Sequence, residues 1–297
     1  MANAIDLAKI YTPKLDEAYK QASLSSDLDG AEELMREGYN ADEIVIPVLD
    51  MDGLADYSRN EGYVNGDVKL EWKTVKTNFD RGRMFEVDEL DNIETGGVAF
   101  GRLAGEFIRT KVVPELDAFR FAKYASKEGV STDSEALTTG AKVVEALRAA
   151  TNQMDEDEVP YEDRHLKITP TLLGMVEDLD TTKSRAVLAR FASITAVPQT
   201  RFYTAITQYD GKTDTSDQED GVNQKKGGYV KAANAKNINF EILHRSALIQ
   251  FNKLVKPKII TPEMNQTSDA WKYGYRLVSL ADVYANKLAG VFVHTAS

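Results

Sequence analysis

Between Val68 and Asp88 the chain alternates with a period of two. Val68, Leu70, Trp72 and Thr74 interleave with Lys69, Glu71, Lys73 and Val75. Asn78-Phe79-Asp80-Arg81-Gly82 is turn chemistry, after which Phe85 and Val87 interleave with Met84 and Glu86. The pattern predicts two strands folded back as a hairpin ribbon, about 25–30 Å long at ~3.3 Å per residue. A lone two-stranded ribbon is marginal in water and needs something to lie on. The chain is thereby limited to folds that supply such a surface, from its own body or from a neighbour.

Residues 1–43 supply little of it. Tyr11-Thr12-Pro13 interrupts early, Ser23 to Gly30 is polar and turn-rich, and only short apolar pairs appear (Leu7 with Ile10, Leu34 with Met35). This stretch reads as an extended arm that cannot make its own core, because its few apolar side chains do not offset the entropy of ordering it. Ile44 to Leu49 reads as a short buried strand, with Pro47 marking an edge or a bend.

The rest of the chain reads as a body of segregated helices and strands. Phe100, Leu103, Phe107, Val112, Leu116 and Phe119 recur at helical steps within Val98 to Ala125, with a kink or two helices meeting expected at Pro114. A second helix is predicted from Gly140 to Met154, capped by Thr138 or Thr139. A third opens at Thr169-Pro170. Strands are predicted at Arg164–Ile168, at Ala192–Val197 and at Ile238–Leu243, and Phe251 to Ile260 alternates with lysines. From about Arg185 onward the pattern is strand-like. Trp271–Tyr284 and Leu288–His294 are expected to pair across Asn286-Lys287, and Gln208–Gly228 to be an exposed loop. The fold class is α+β, not repeated βαβ units.

Composition excludes several functions. With 36 basic and 47 acidic residues the net charge is −11. A protein that grips phosphates is ordinarily basic, so sequence-specific DNA binding is disfavoured, although an acidic wall can surround packed DNA without adhering to it. Cysteine is absent, which removes disulfides, thiolate nucleophiles and Cys-type zinc sites. The N-terminus lacks a signal-peptide apolar region, and no run approaches the ~18 apolar residues of a membrane span.

Catalytic templates also fail. Gly211-Lys212-Thr213 resembles the end of a phosphate loop, but Ile206 stands where its first glycine belongs. Asp50-Met51-Asp52-Gly53 resembles part of a calcium loop, but Val48 replaces the first ligand and Arg59 the bidentate glutamate. His165, His244 and His294 lie far apart with no metal-type spacing, and no spacing selects a Ser-His-Asp set. The acidic runs Asp155–Glu158 and Asp214–Asp220 read as solvated loops. No catalytic, metal or cofactor residue is therefore assigned.

The order of elements, from polar arm to charged ribbon, long helix, α+β body and closing C-terminal strands, resembles the major capsid proteins of tailed bacteriophages with the Hong Kong 97-like fold. Val68-Lys69-Leu70-Glu71-Trp72-Lys73 with Asp80-Arg81-Gly82-Arg83-Met84-Phe85-Glu86-Val87-Asp88-Glu89-Leu90-Asp91 is similar to the extended loop of such proteins from phages and prophages of low-GC Gram-positive bacteria. Val112-Val113-Pro114-Glu115-Leu116-Asp117-Ala118-Phe119-Arg120-Phe121 resembles their spine helix. Val197-Pro198-Gln199-Thr200-Arg201-Phe202 resembles a passage of their axial domain. Lys256-Pro257-Lys258-Ile259-Ile260-Thr261-Pro262 and the ending Val283 to His294 resemble their peripheral domain.

The resemblance implies an N-terminal arm over 1–43, an extended hairpin loop over 55–92, a peripheral domain from 93–130 with 245–297, and an axial domain over 131–244. It implies a structural subunit that self-assembles into pentamers and hexamers of an icosahedral shell around double-stranded DNA, with a portal and no membrane. Such a subunit is made in the host bacterial cytoplasm and ends in the virion. Met1 leads almost directly into arm-like sequence, not into a long helical scaffolding segment, so a separate scaffolding protein is expected. Covalent Lys–Asn crosslinks are not expected, although Lys69, Lys73 and Lys76 lie on the loop and Asn286 near the C-terminus. The residues expected to touch neighbouring subunits are Lys69, Glu71, Trp72, Lys73, Asp80, Arg81, Arg83 and Glu86. The rival readings are an encapsulin-like nanocompartment shell and a soluble hydrolase.

Overall fold

A computed structural model describes residues 23–30, 36–37, 43–60, 62–90, 103, 105–215 and 223–297. Most of the expected arm, the expected helix start at Val98 and most of the acidic run Asp214–Asp220 lie outside the described residues. Thirteen strands run in chain order among the described residues. They are β1 (Arg36–Glu37), β2 (Glu43–Met51), β3 (Val68–Lys76), β4 (Phe79–Asp88), β5 (Ser131–Asp133), β6 (Arg164–Ile168) and β7 (Ser193–Ala196). They continue as β8 (Ile206–Gln208), β9 (Tyr229–Lys231), β10 (Ile238–His244), β11 (Leu248–Ile260), β12 (Ala270–Val283) and β13 (Val291–Thr295). The main helices are α1 (Val113–Ala125), α2 (Gly140–Glu156), α3 (Pro170–Leu179) and α4 (Thr182–Leu188).

Two cores share one sheet. The five-stranded sheet has the order β5-β13-β10-β6-β7. Alternation along β10 sends Phe240 and Ile242 to one face and Glu241 and Leu243 to the other. On the first face, Phe240, Ile242, Leu166, Ile168 and Phe292 pack against Val143, Leu147, Met154, Leu172 and Val176 of α2 and α3. On the second, Leu243, Val291 and Val293 join the core of α1, whose Leu116, Phe119, Phe121 and Tyr124 also meet Tyr273, Tyr275 and Leu277 of β12. Each fully buried large side chain of this kind contributes about 1.5–3 kcal/mol. The β12 residues belong to a second sheet, of order β11-β12-β4.

Local signals hold where they are local. Thr139 caps α2 by accepting the Lys142 N–H, and Pro170 opens α3. Two helical segments meet beside Pro114: a π-helical turn, Ile108–Val112, gives way to α1 just before it. A longer-range hydrogen-bonding turn accommodates a residue that donates no N–H and crowds the carbonyl four positions earlier.

Several expectations change. The extended hairpin exists, but it is built from β2 and β3, paired antiparallel from Glu43↔Lys76 to Met51↔Val68. β4 is not the return strand of β3. It pairs with β12 from Asp88↔Ala270 to Phe79↔Ser279. Thr77 and Asn78 make the handover from one sheet to the other. The Asn78 amide donates to the Ala281 carbonyl at 2.7 Å and accepts the Ala281 N–H at 3.1 Å, so one side chain substitutes for the next rung of the ladder. Gly82 lies within β4, not in a turn.

The expected closing pair is also undone. β12 stays with β11 and β4, while β13 crosses to lie between β10 and β5. β13 buries all five of its residues there, which an edge position beside β12 would not allow. The stretch after Arg185 opens in helix, because a capping box between Thr181 and Ser184 starts α4.

Candidate assembly surface

The eight predicted contact residues fall in two separate places. Lys69, Glu71, Trp72 and Lys73 lie on the ribbon strand β3; Asp80, Arg81, Arg83 and Glu86 lie on β4 in the body. The β4 group is engaged within the chain. Asp80 accepts two hydrogen bonds from Arg276, at 2.9 and 2.6 Å. Arg81 Nε meets Glu115 at 2.9 Å, and burial raises the Glu115 carboxyl above its ordinary range despite that charge. Arg83 donates to the carbonyls of Lys226 and Lys225 at 3.1 and 3.2 Å, and Glu86 bonds Ser268 and meets Lys272. Sequence alternation alone could not separate these two groups, since both alternate equally well.

The ribbon carries a surface that the body leaves uncovered. Val68, Leu70 and Trp72 are 71%, 54% and 44% exposed. Their register partners are Met51, Leu49 and Pro47, and directly opposed residues share a face. Val68, Leu70, Trp72 and the 60% exposed Met51 thus lie on one face of a two-strand ribbon. The opposite face of β3 carries Lys69 and Glu71, which form an ion pair, with Lys73 beside them. Beyond Val45, β2 has no partner on its β1 side among the described residues, which suits Pro47 because it donates no N–H there. At the tip, Ser58 and Gly62 exchange backbone hydrogen bonds, and Leu54, Tyr57, Tyr63 and Val64 are exposed. At the base, Val75 packs on Ile249 and Leu280, and Lys253 donates to the Glu43 carbonyl at 3.0 Å.

The arm segment Ser23–Gly30 is a correction. The arm's scarcity of apolar residues points to no firm attachment, yet this segment is held on the body by polar groups. Asp117 accepts from Ser23 Oγ, the Leu24 N–H and Ser25 Oγ at 2.8, 2.9 and 2.7 Å, and from Arg201 at 3.1 Å. Arg120 donates to Ser25, and Gln250 donates to the Ser25 carbonyl and to Asp29. Leu28 is the apolar plug, fully buried in the α1 core. Counting apolar residues misses a segment whose attachment is a set of buried charge-assisted hydrogen bonds.

This cluster gathers a serine, a histidine and an aspartate without forming a triad. Ser193 Oγ lies 2.7 Å from His165 Nδ1, and Asp27 lies 3.5 Å from the same nitrogen. His165 Nε2 is buried without a partner. Nucleophile and carboxylate must occupy opposite ring nitrogens for base catalysis, so this set only orients Asp27. The Gly211-Lys212-Thr213 stretch is a turn organised by Asp210, whose carboxylate accepts from Lys212 N–H and Thr213 and is thereby lowered to about 2. His294 is buried, 3.1 Å from the Asn239 amide. Among the described residues no group of His, Asp or Glu is arranged to hold a metal, and no helix is long and apolar enough to cross a membrane.

Comparison with known proteins places the fold. No family model and no curated protein sequence matches the chain. Solved structures match it from end to end. The capsid structure of the cyanophage P-SCSP1u covers 97% of this chain and 92% of its own, at TM-score 0.63 and 12% identity. A Gordonia phage Cozz structure covers 100% and 91%, at TM-score 0.60 and 14% identity. A virus-like particle from Pyrococcus furiosus covers 83% and 86%, at TM-score 0.50 and 10% identity. The chain has the Hong Kong 97-like capsid fold.

Proposed function

We propose that the chain is the shell subunit of a tailed-phage capsid, a structural protein that assembles with copies of itself around double-stranded DNA without reading its sequence. The observation that carries this reading is the coverage of the fold. Chains of phage structures match it over essentially its whole length. The exposed apolar face of the ribbon supports homo-oligomer assembly, because contiguous exposed apolar surface marks an interaction site.

In this reading the ribbon over 43–76 is the extended loop that reaches a neighbour. Val68, Leu70 and Trp72 provide the contact area, while Lys69, Glu71 and Lys73 fix its register. Exposed ion pairs contribute ~0–1 kcal/mol each, so the charges select a partner more than they hold it. The core around α1 and β11-β12-β4 forms the peripheral domain, and the core around α2 and α3 the axial domain. Pentamers and hexamers, a separate scaffolding protein, a portal, and assembly in the bacterial cytoplasm before incorporation in the virion complete the proposal. A cargo-enclosing compartment shell is the second reading. It is supported by the Pyrococcus particle, whose coverage and TM-score are lower.

Electron microscopy of the purified chain, alone and co-expressed with a candidate scaffolding protein, tests the proposal. Closed icosahedral particles are expected. Particles filled with an enzyme instead support the compartment shell, and a monomer that never assembles under either condition removes both.

A further inference from the structure

Lys167 faces two carboxylates and uses one. Its ammonium lies 2.7 Å from both Asp27 oxygens, 2.8 Å from the Leu24 carbonyl and 3.1 Å from Thr195 Oγ1. Glu241 is the register partner of Lys167 on the neighbouring strand β10, so both side chains leave the sheet on the same face. Glu241 is fully buried, and neither carboxyl oxygen has a hydrogen-bond partner. Buried polar groups are nearly always paired, so an orphaned carboxyl beside a buried ammonium calls for an explanation.

The segment Ser23–Gly30 supplies one. The buried charged body residues other than Lys167 that grip it have a second partner that stays behind, and the exposed Arg245, which donates to the Asp29 carbonyl at 3.1 and 2.8 Å, returns to water. Asp117 keeps Arg201, and Arg120 keeps Asn252 at 2.8 Å. Gln250 keeps the Tyr124 hydroxyl at 2.6 Å. Lys167, without Asp27 and Leu24, would keep only Thr195. A buried cation so poorly paired would destabilise the body strongly, unless Glu241 took it. The ionisable groups coupled to one or other member of this pair are Asp27 and Asp117, which act on Lys167, and Tyr124, which feels Glu241.

We propose that Ser23–Gly30 is a releasable strap, and that Glu241 is the carboxylate Lys167 takes when the strap lifts. The strap is fastened by exchangeable polar contacts and one buried leucine, and Asp117, Arg120 and Gln250 each keep a partner when it leaves. On release, Asp27 swings into water with its charge. Glu241 gives its proton to solvent and closes on the ammonium across the β6–β10 rung. The inference concerns the single subunit and does not depend on the shell reading.

Hydrogen exchange on the purified full chain tests it. The amides of Leu24, Leu28 and Gly30 bond Asp117, the Ser25 carbonyl and the Gln250 carbonyl and report strap opening. Glu241→Gln removes the fallback pair from the open state alone. Strap amides are expected to exchange about tenfold more slowly than in the parent, with β10 amides as the internal control. Unchanged or faster strap exchange overturns the proposal. Asp27→Asn, at the half-exposed end of the pair, gives an independent reading if Glu241→Gln does not fold. Strap exchange should then rise while the melting temperature of the body holds. Loss of body stability together with the strap overturns the proposal.

Discussion

A β-carbon on Gly82 would stand 2.8 Å from the carbonyl oxygen of Tyr275 and 3.3 Å from the Arg276 backbone. The close approach lies at the centre of the β4–β12 ladder, where Gly82 pairs with Arg276. Glycine is there for space, not for a turn. Gly82→Ala is expected to cost about 1–3 kcal/mol through overpacking against backbone that cannot yield. Chemical denaturation of the purified subunit measures it, and an unchanged midpoint would show that the two strands can separate without loss.

The ribbon face gives a prediction of the opposite kind. Leu70→Glu and Trp72→Glu place charge on residues already half-exposed. Subunit stability should move by no more than ~0.5 kcal/mol, while particle yield falls to background. Melting temperature and particle counts on one preparation separate the two effects. Normal particles from both variants would remove the ribbon from the assembly surface.

Asp117 is the hub on which strap and α1 converge. It is fully buried and accepts from Ser23, Leu24, Ser25 and Arg201. Asp117→Ala removes the buried carboxylate from the Asp117–Arg201 ion pair, and breaking a buried pair on one side typically costs about 3–5 kcal/mol. The expected result is a subunit that unfolds early or is insoluble, and thermal melting of the soluble fraction checks it.

Asp27 and Glu241 respond to pH with opposite signs. Burial works to raise Asp27, but hydrogen bonds from His165, Lys167 and Ser193 and the Lys167 charge hold it below the ordinary carboxylate range. Its stabilisation is therefore complete above about pH 4 and lost as pH falls through its folded value. Burial pushes Glu241 well above that range. Its folded form keeps a proton the unfolded chain releases, so stability is full below about pH 4 and erodes as pH rises. The stability of Glu241→Gln should gain on the parent as pH rises above about 5, read as a widening gap in melting temperature. Parallel curves would mean that Glu241 is ionised in the folded protein.

Much of this architecture is legible in the chain itself. Alternation marks β3, β4 and β11, three-residue and four-residue steps mark α1 and α2, and Thr139 and Pro170 mark where helices begin. These features are set by sterics and hydrogen bonding within about ten residues, so the local sequence contains them whole. Alternation reports which face a side chain takes, but it is silent on which strand lies alongside. The ribbon was therefore assigned to β3 and β4, although β4 belongs with a strand whose Arg276 is 196 positions from Asp80.

The tertiary structure alone decided the rest. Asp27, Asp117, Arg120, Lys167, Arg201 and Glu241 are scattered over the chain, and each alone reads as a surface charge. Folding takes all but Asp27, which stays at the rim, out of water together, and desolvation then makes every partner consequential. Which carboxyl keeps its proton, and which polar segment is fastened to the body, follow from that shared burial and from no pattern along the chain.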